Sequence, residues 1–79
     1  MGKQAYITLK LFADLGKFLP DSADNYPVTP GISVRSLIAG LKIPEEKAKL
    51  IFIDGVKGEL DSIIQGGERI GVFPPVGGG

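Results

Sequence analysis

The chain contains no cysteine and no histidine, which removes thiolate and imidazole chemistry, disulfide stapling and the usual zinc sites in one step. It has no excess of charge of either sign. Nine basic and nine acidic residues cancel, so no broad field draws it toward nucleic acid or an anionic membrane surface. Long hydrophobic runs are missing too. The longest apolar segment, Leu50-Ile51-Phe52-Ile53, falls far short of the roughly 20 residues that span a bilayer, and the N-terminal residues alternate instead of forming the apolar centre of a signal peptide. Met1-Gly2 opens like a myristoylation signal, but Tyr6 stands where that signal needs Ser or Thr. The expectation is a cytoplasmic protein with neither a membrane nor a nucleic-acid partner. At 79 residues it is one domain, near the lower size limit for folding without staples.

What is present is hydrophobic alternation. Ala5, Ile7, Leu9 and Leu11 share one face of a strand, and Tyr6, Thr8, Lys10 and Phe12 the other. Leu15, Phe18 and Leu19 recur at helical spacing, which predicts one loose turn ending at Pro20, weakened by Gly16. Asp21 to Asn25 is turn chemistry, and Tyr26 to Pro30 is a short strand that its prolines confine to an edge. Ser33 stands as N-cap to the main helix, whose Val34, Leu37, Ile38 and Leu41 form one apolar stripe. Pro44-Glu45-Glu46 reads as the first turn of a second, short helix. Leu50 to Ile53 reads as a buried strand, Asp54-Gly55 as a tight turn and Val56-Lys57 as a return strand, while Leu60 to Ile64 is ambiguous. After the Gly66-Gly67 turn, Glu68 to Phe73 forms the last strand, with Ile70 and Val72 on one face and Arg69, Gly71 and Phe73 on the other. These elements predict one helix laid across one face of a mixed sheet. Ile7, Leu9, Leu11, Ile70 and Val72 are expected to meet the helix stripe, which leaves Tyr6, Phe12 and Phe73 on the opposite face.

The chain closes on Phe73-Pro74-Pro75-Val76-Gly77-Gly78-Gly79. Two prolines end the strand at Phe73 and favour an extended exit, and the expected division is a body over 1–73 and a tail over 74–79. Fully extended, Pro74 to Gly79 reaches roughly 20 Å, enough to enter a deep pocket. A glycine run alone reads as a frayed or engineered end, but an added linker usually brings Ser, His or a protease site, and none is here. A glycyl carboxylate at Gly79 is unhindered, and a tail without side chains threads a narrow channel. Ordering the three glycines costs roughly 3–6 kcal/mol, so the body is expected to carry a docking surface. Phe12 and Phe73, each worth about 1.5–3 kcal/mol on full burial, are of the size needed. Lys10 and Arg69 share their face and are expected to meet acidic groups on a partner.

Other candidate chemistry is weak. Gly66-Gly67 lacks the following helix and Lys-Ser/Thr of a phosphate cradle. Asp54, Glu59, Asp61 and Glu68 sit in or beside turns and read as solvated carboxylates rather than metal ligands. Ser22, Ser33, Ser36 and Ser62 have no histidine to activate them. A self-contained catalytic site is not expected.

The Phe73-Pro74-Pro75-Val76-Gly77-Gly78-Gly79 ending, preceded by Gly67-Glu68-Arg69-Ile70-Gly71-Val72, closely resembles the C-terminus of the MoaD/ThiS ubiquitin-like sulfur carriers, most of all the small subunit of molybdopterin synthase. The opening strand into Leu11-Phe12-Ala13, the helix near Ser33 to Leu41 and the Asp54-Gly55 turn are compatible with the same family. The resemblance implies an α+β, β-grasp (ubiquitin-like) fold with the first and last strands side by side. It further implies that an E1-like activating enzyme uses ATP to adenylate Gly79, after which a sulfur donor of desulfurase or rhodanese type converts the terminus to a thiocarboxylate. No cofactor is expected to stay bound. The tail then enters the large subunit of molybdopterin synthase and gives sulfur to cyclic pyranopterin monophosphate. By the family pattern Gly78 and Gly79 are the diglycine. Phe12, Phe73, Pro74, Pro75, Val76 and Gly77 fall in the interface, with Lys10 and Arg69 beside them. Carriers for thiamine or cysteine biosynthesis and ubiquitin-like protein modifiers share the activation step and remain alternatives; Pro74-Pro75 favours molybdopterin.

Overall fold

The computed structural model describes residues 5–75. Its first strand, β1 (Ala5–Leu11), does not pair with its sequence neighbours alone. It lies between the short edge strand β2 (Tyr26–Val28) and the last strand, β7 (Arg69–Phe73), which is itself flanked by β4 (Leu50–Ile53). The hairpin partner β5 (Val56–Gly58) closes the far edge, giving the order β2-β1-β7-β4-β5. The β1–β7 pair is parallel and the others antiparallel. The sheet is therefore mixed, with the first and last strands adjacent, as expected.

Register turns the alternation of the sequence into two apolar rows. Leu9 pairs with Ile70 and Ile70 with Ile53; Leu11 pairs with Val72 and Val72 with Ile51. The helix α1 (Val34–Gly40) brings Val34, Leu37 and Ile38 into the same core, and all three are buried with Ile7, Leu9, Ile70 and Val72. Ser33 caps α1 as its position predicts, its Oγ accepting from the Ser36 amide at 3.1 Å. Leu15 is fully buried from a 3₁₀ turn over Ala13–Phe18, and further such turns form over Ala23–Asn25 and, after Pro44, over Glu45–Lys47. Asp54 and Gly55 both have positive φ, the backbone that a two-residue hairpin between β4 and β5 requires.

Two sequence expectations change. The segment Leu50 to Ile53 is not a strand buried on both faces: Ile51 is buried, whereas Leu50 is exposed and Phe52 half-buried on the outer side. A continuous apolar run hides its own period, so alternation could not assign these faces. The ambiguous stretch before Gly66 contains β6 (Ile63–Ile64), which pairs with β3 (Ile32–Ser33) in a separate two-stranded ribbon. That ribbon ties the start of α1 to the chain leading into β7. The tie is reinforced by Arg35, which bonds Asp61 and lies 3.4 Å from Glu45; the hydrogen bond and charge of Asp61, then Glu45, hold its guanidinium above its ordinary pKa.

Candidate functional site

The sheet face opposite α1 is where the outer-parity residues collect. β1 delivers Lys10 and, one step past its end, Phe12; β7 delivers Arg69, Gly71 and Phe73; β4 delivers Phe52. Phe12 is held there because its amide donates to the Val72 carbonyl at 3.1 Å, extending the β1–β7 ladder beyond Leu11. Phe73 is held because its carbonyl accepts from the Lys49 amide at 3.0 Å. Pro74 has no amide with which to continue, and the strand stops where the prolines predicted.

The three rings form one cluster. Phe12 and Phe73 stack with centroids 4.1 Å apart and planes 3° from parallel, and Phe52 meets Phe73 edge-on at 5.7 Å and 83°. Such pairs add about 0.5–1.5 kcal/mol each beyond area burial. Around them lies a shallow concavity of ≈ 250 Å³ lined by Lys10, Phe12, Phe52, Gly55, Arg69, Gly71 and Phe73. Phe12 still exposes 39 % of its surface, and Tyr6 on the same face 45 %. Parity thus placed Lys10, Phe12, Arg69 and Phe73 together correctly; it missed Phe52, whose only signal was its position two residues before the Asp54-Gly55 turn.

The tail begins at this cluster. Pro74 is half-buried and Pro75 exposed, and both line a hollow with Ala13, Asp14 and Lys47. The 3₁₀ turn after β1 therefore lies beside the first two tail residues. Val76, Gly77, Gly78 and Gly79 lie outside the described residues.

The carboxylates read from sequence as solvated are exposed at Asp54, Glu59 and Asp61 and half-exposed at Glu68, and each also has a structural partner. Asp54 Oδ1 accepts from the Arg69 amide at 2.9 Å, which locks the β4–β5 hairpin to the start of β7. Glu68 accepts from the amides of Gln65 and Gly66 at 2.9 and 2.7 Å, capping the turn before β7. Glu59 lies 3.5 Å from Lys57, and Asp61 pairs with Arg35. Among the described residues no three acidic side chains gather as a metal site, and no helix is long and apolar enough to cross a membrane.

The family model described as Mut7-C ubiquitin matches residues 4–77 of the chain. No curated protein matches it. Solved structures share the fold, among them the following three. The Haloferax volcanii HVO 2177 protein has 18 % identity and a TM-score of 0.74, with 96 % of this chain and 88 % of that one covered. A putative molybdopterin converting factor, subunit 1, from Pyrococcus furiosus has 24 % identity and a TM-score of 0.62, with 91 % and 99 % covered. SAMP1 from Haloferax volcanii has 19 % identity and a TM-score of 0.64, with 98 % and 100 % covered. At these identities the likeness is one of fold, and the fold is the ubiquitin-like β-grasp that the family resemblance implied, consistent with the helix across a mixed sheet read from the residues.

Proposed function

This chain belongs to the Mut7-C ubiquitin family, among the MoaD/ThiS-like ubiquitin-like proteins, and we propose that it is a sulfur carrier acting through the carboxylate of Gly79. The observation that carries the reading is the Phe12–Phe73 stack. It sits on the sheet face that α1 leaves uncovered, at the point where β7 gives way to Pro74-Pro75 and the glycines. A partner gripping these rings gains apolar burial where it must offset the ordering of the tail.

In the proposed cycle the chain supplies the terminus and its partners supply the catalysis. An E1-like enzyme brings the Gly79 carboxylate to ATP; a carboxylate oxygen bonds to the α-phosphorus and pyrophosphate leaves. The terminal sulfur of a desulfurase- or rhodanese-type donor then attacks the acyl carbon, AMP leaves, and a thiol cleaves the resulting acyl disulfide to free the thiocarboxylate. The absence of side chains at Gly77, Gly78 and Gly79 lets the terminus pass through a narrow channel at each step. ATP is the activating partner's co-substrate, and the cycle is assigned to the cytoplasm.

The acceptor we favour is cyclic pyranopterin monophosphate, held by a large subunit of molybdopterin synthase, which makes this chain the small subunit. Support comes from the Phe-Pro-Pro-Val ending and from the fold shared with the putative molybdopterin converting factor subunit. The ubiquitin description of the matching family favours, as a second reading, conjugation of Gly79 to lysines of other proteins. Mass spectrometry of the protein from its own cells separates the two. A C-terminal peptide heavier by the exchange of one oxygen for sulfur identifies a carrier; an isopeptide to other proteins identifies a modifier. A terminus found only as a free carboxylate, in cells that are making the cofactor, would falsify both.

A further inference from the structure

Among the described residues other than glycine, positive φ occurs at Ala13 (54°), Lys42 (65°) and Asp54 (53°). Two of these are accounted for where they stand. Asp54 opens the β4–β5 hairpin, and its carboxylate accepts from the Arg69 amide. Lys42 closes α1: its amide donates to the Ala39 carbonyl and that of Ile43 to the Ile38 carbonyl, each at 3.0 Å, an ending that takes a left-handed residue. Ala13 has neither reason. It carries no polar group to bond the turn, and it is exposed, so no burial of its methyl offsets the conformation.

The strain is imposed from both sides. The Phe12 amide donates to the Val72 carbonyl, and the Phe12 carbonyl accepts from the Leu15 amide, both at 3.1 Å. Leu15 is fully buried, so only Ala13 and Asp14 separate a residue of the outer face from one in the core. Strain held in this way is released on the side that gives first. Leu15 cannot leave without opening a cavity. Phe12 is held by the last bond of the ladder, by its stack on Phe73 and by its seat over Gly71, where a Cβ would lie 3.5 Å from Phe12 Cε2. Phe73 has ties of its own, to the Lys49 amide and to the edge of Phe52, and stays in place when Phe12 moves.

We propose that Ala13 is the strained pivot of a latch. Phe12 swings off Phe73 and Gly71 while Leu15 stays in the core, and the left-handed backbone of Ala13, which relaxes in the open form, sets how often this happens. Phe73 then shows the ring face that the stack hides. The latch deepens the carrier reading and rests on it for its purpose alone, because the root of a carrier's tail must be taken up and let go by successive partners.

The test is amide hydrogen exchange of the isotope-labelled full chain, read by NMR as protection factors. Opening frees the Phe12 amide from Val72 and the Leu15 amide from Phe12 together, so the two should show matching protection, nearly independent of urea at low concentration, as a local opening requires. Ala13→Gly should raise both protection factors about five- to thirtyfold, with the melting temperature held or raised. Glycine also gains freedom in the open form, so Ala13→Asn, which keeps a Cβ and tolerates the left-handed region, is the second variant and should shift both in the same direction. Ala13→Val, for which that region is worse, should lower both; if it does not fold, the glycine and asparagine variants decide. Unmatched protection at Phe12 and Leu15, exchange only with the urea slope of global unfolding, or no response to the Ala13 variants overturns the proposal. So does protection that falls with glycine and holds with asparagine, since the methyl would then be supporting the turn. Deleting Gly79 removes the thiocarboxylate and should leave these protection factors unchanged, so the latch and the carrier reading fail separately.

Discussion

Phe12 and Phe73 lie ring on ring, 4.1 Å between centroids, so the loop that leaves the first strand and the root of the tail share one contact. Because both rings also face solvent, Phe73→Ala should lower unfolding stability by about 1–2 kcal/mol, less than the roughly 3–5 kcal/mol of a core phenylalanine. Partner affinity should fall further than stability. Urea unfolding beside a binding titration checks this, and a loss in the core range would show that Phe73 belongs to the interior.

The stack also predicts coupling. In a double-mutant cycle of Phe12→Ala and Phe73→Ala, the interaction energy should be about 0.5–1.5 kcal/mol. Phe12→Leu retains apolar area without the aromatic face, and should recover only part of it. Strict additivity would mean that the rings merely sit side by side.

At Gly66 the backbone has φ +123°, and an added Cβ would lie 2.3 Å from that of Ala5. Gly66→Ala should therefore destabilise by about 2–5 kcal/mol, from strain and overpacking together. Adding Ala5→Gly removes the clash but not the backbone strain, so the pair should regain only part of the loss in a denaturant titration.

Glu68 spans two amides of that turn, those of Gln65 and Gly66. Glu68→Ala leaves both without a side-chain acceptor and should cost about 1–3 kcal/mol, tempered by the access of water. Hydrogen exchange should quicken first at Gln65 and Gly66. Unchanged protection there would show that the carboxylate is only a surface charge.

Ser33→Ala removes the acceptor that meets the Ser36 amide, with an expected loss of about 0.5–2 kcal/mol. Ser33→Asp should restore most of it. Thermal unfolding of the two variants side by side settles the point.

Much of this architecture was legible because its pieces obey one period each. β1 and β7 alternate, so Leu9 and Ile70 could be assigned to the core and Lys10, Phe12, Arg69 and Phe73 to the other face before any register was known. Ser33 and the apolar stripe behind it fixed α1 in the same way. Phe52 escaped because its neighbours in Leu50 to Ile53 are all apolar; only pairing with Gly71 shows which way it faces. The ribbon of Ile32-Ser33 with Ile63-Ile64 escaped because strands this short carry no periodicity, and their pairing is a long-range event. Glu68 looked like any carboxylate near a turn. Its role depends on two amides turning toward it, which composition does not encode.

The strand that comes last in sequence, β7, is also the one on which the sheet closes, between β1 and β4. As the polypeptide leaves the ribosome, β1 and β4 wait with open edges until Arg69–Phe73 arrives, and a chain broken off before then offers proteases an unfinished sheet. A sheet that has closed on β7 already has Phe73 in place, and with it the anchor for Pro74 and Pro75.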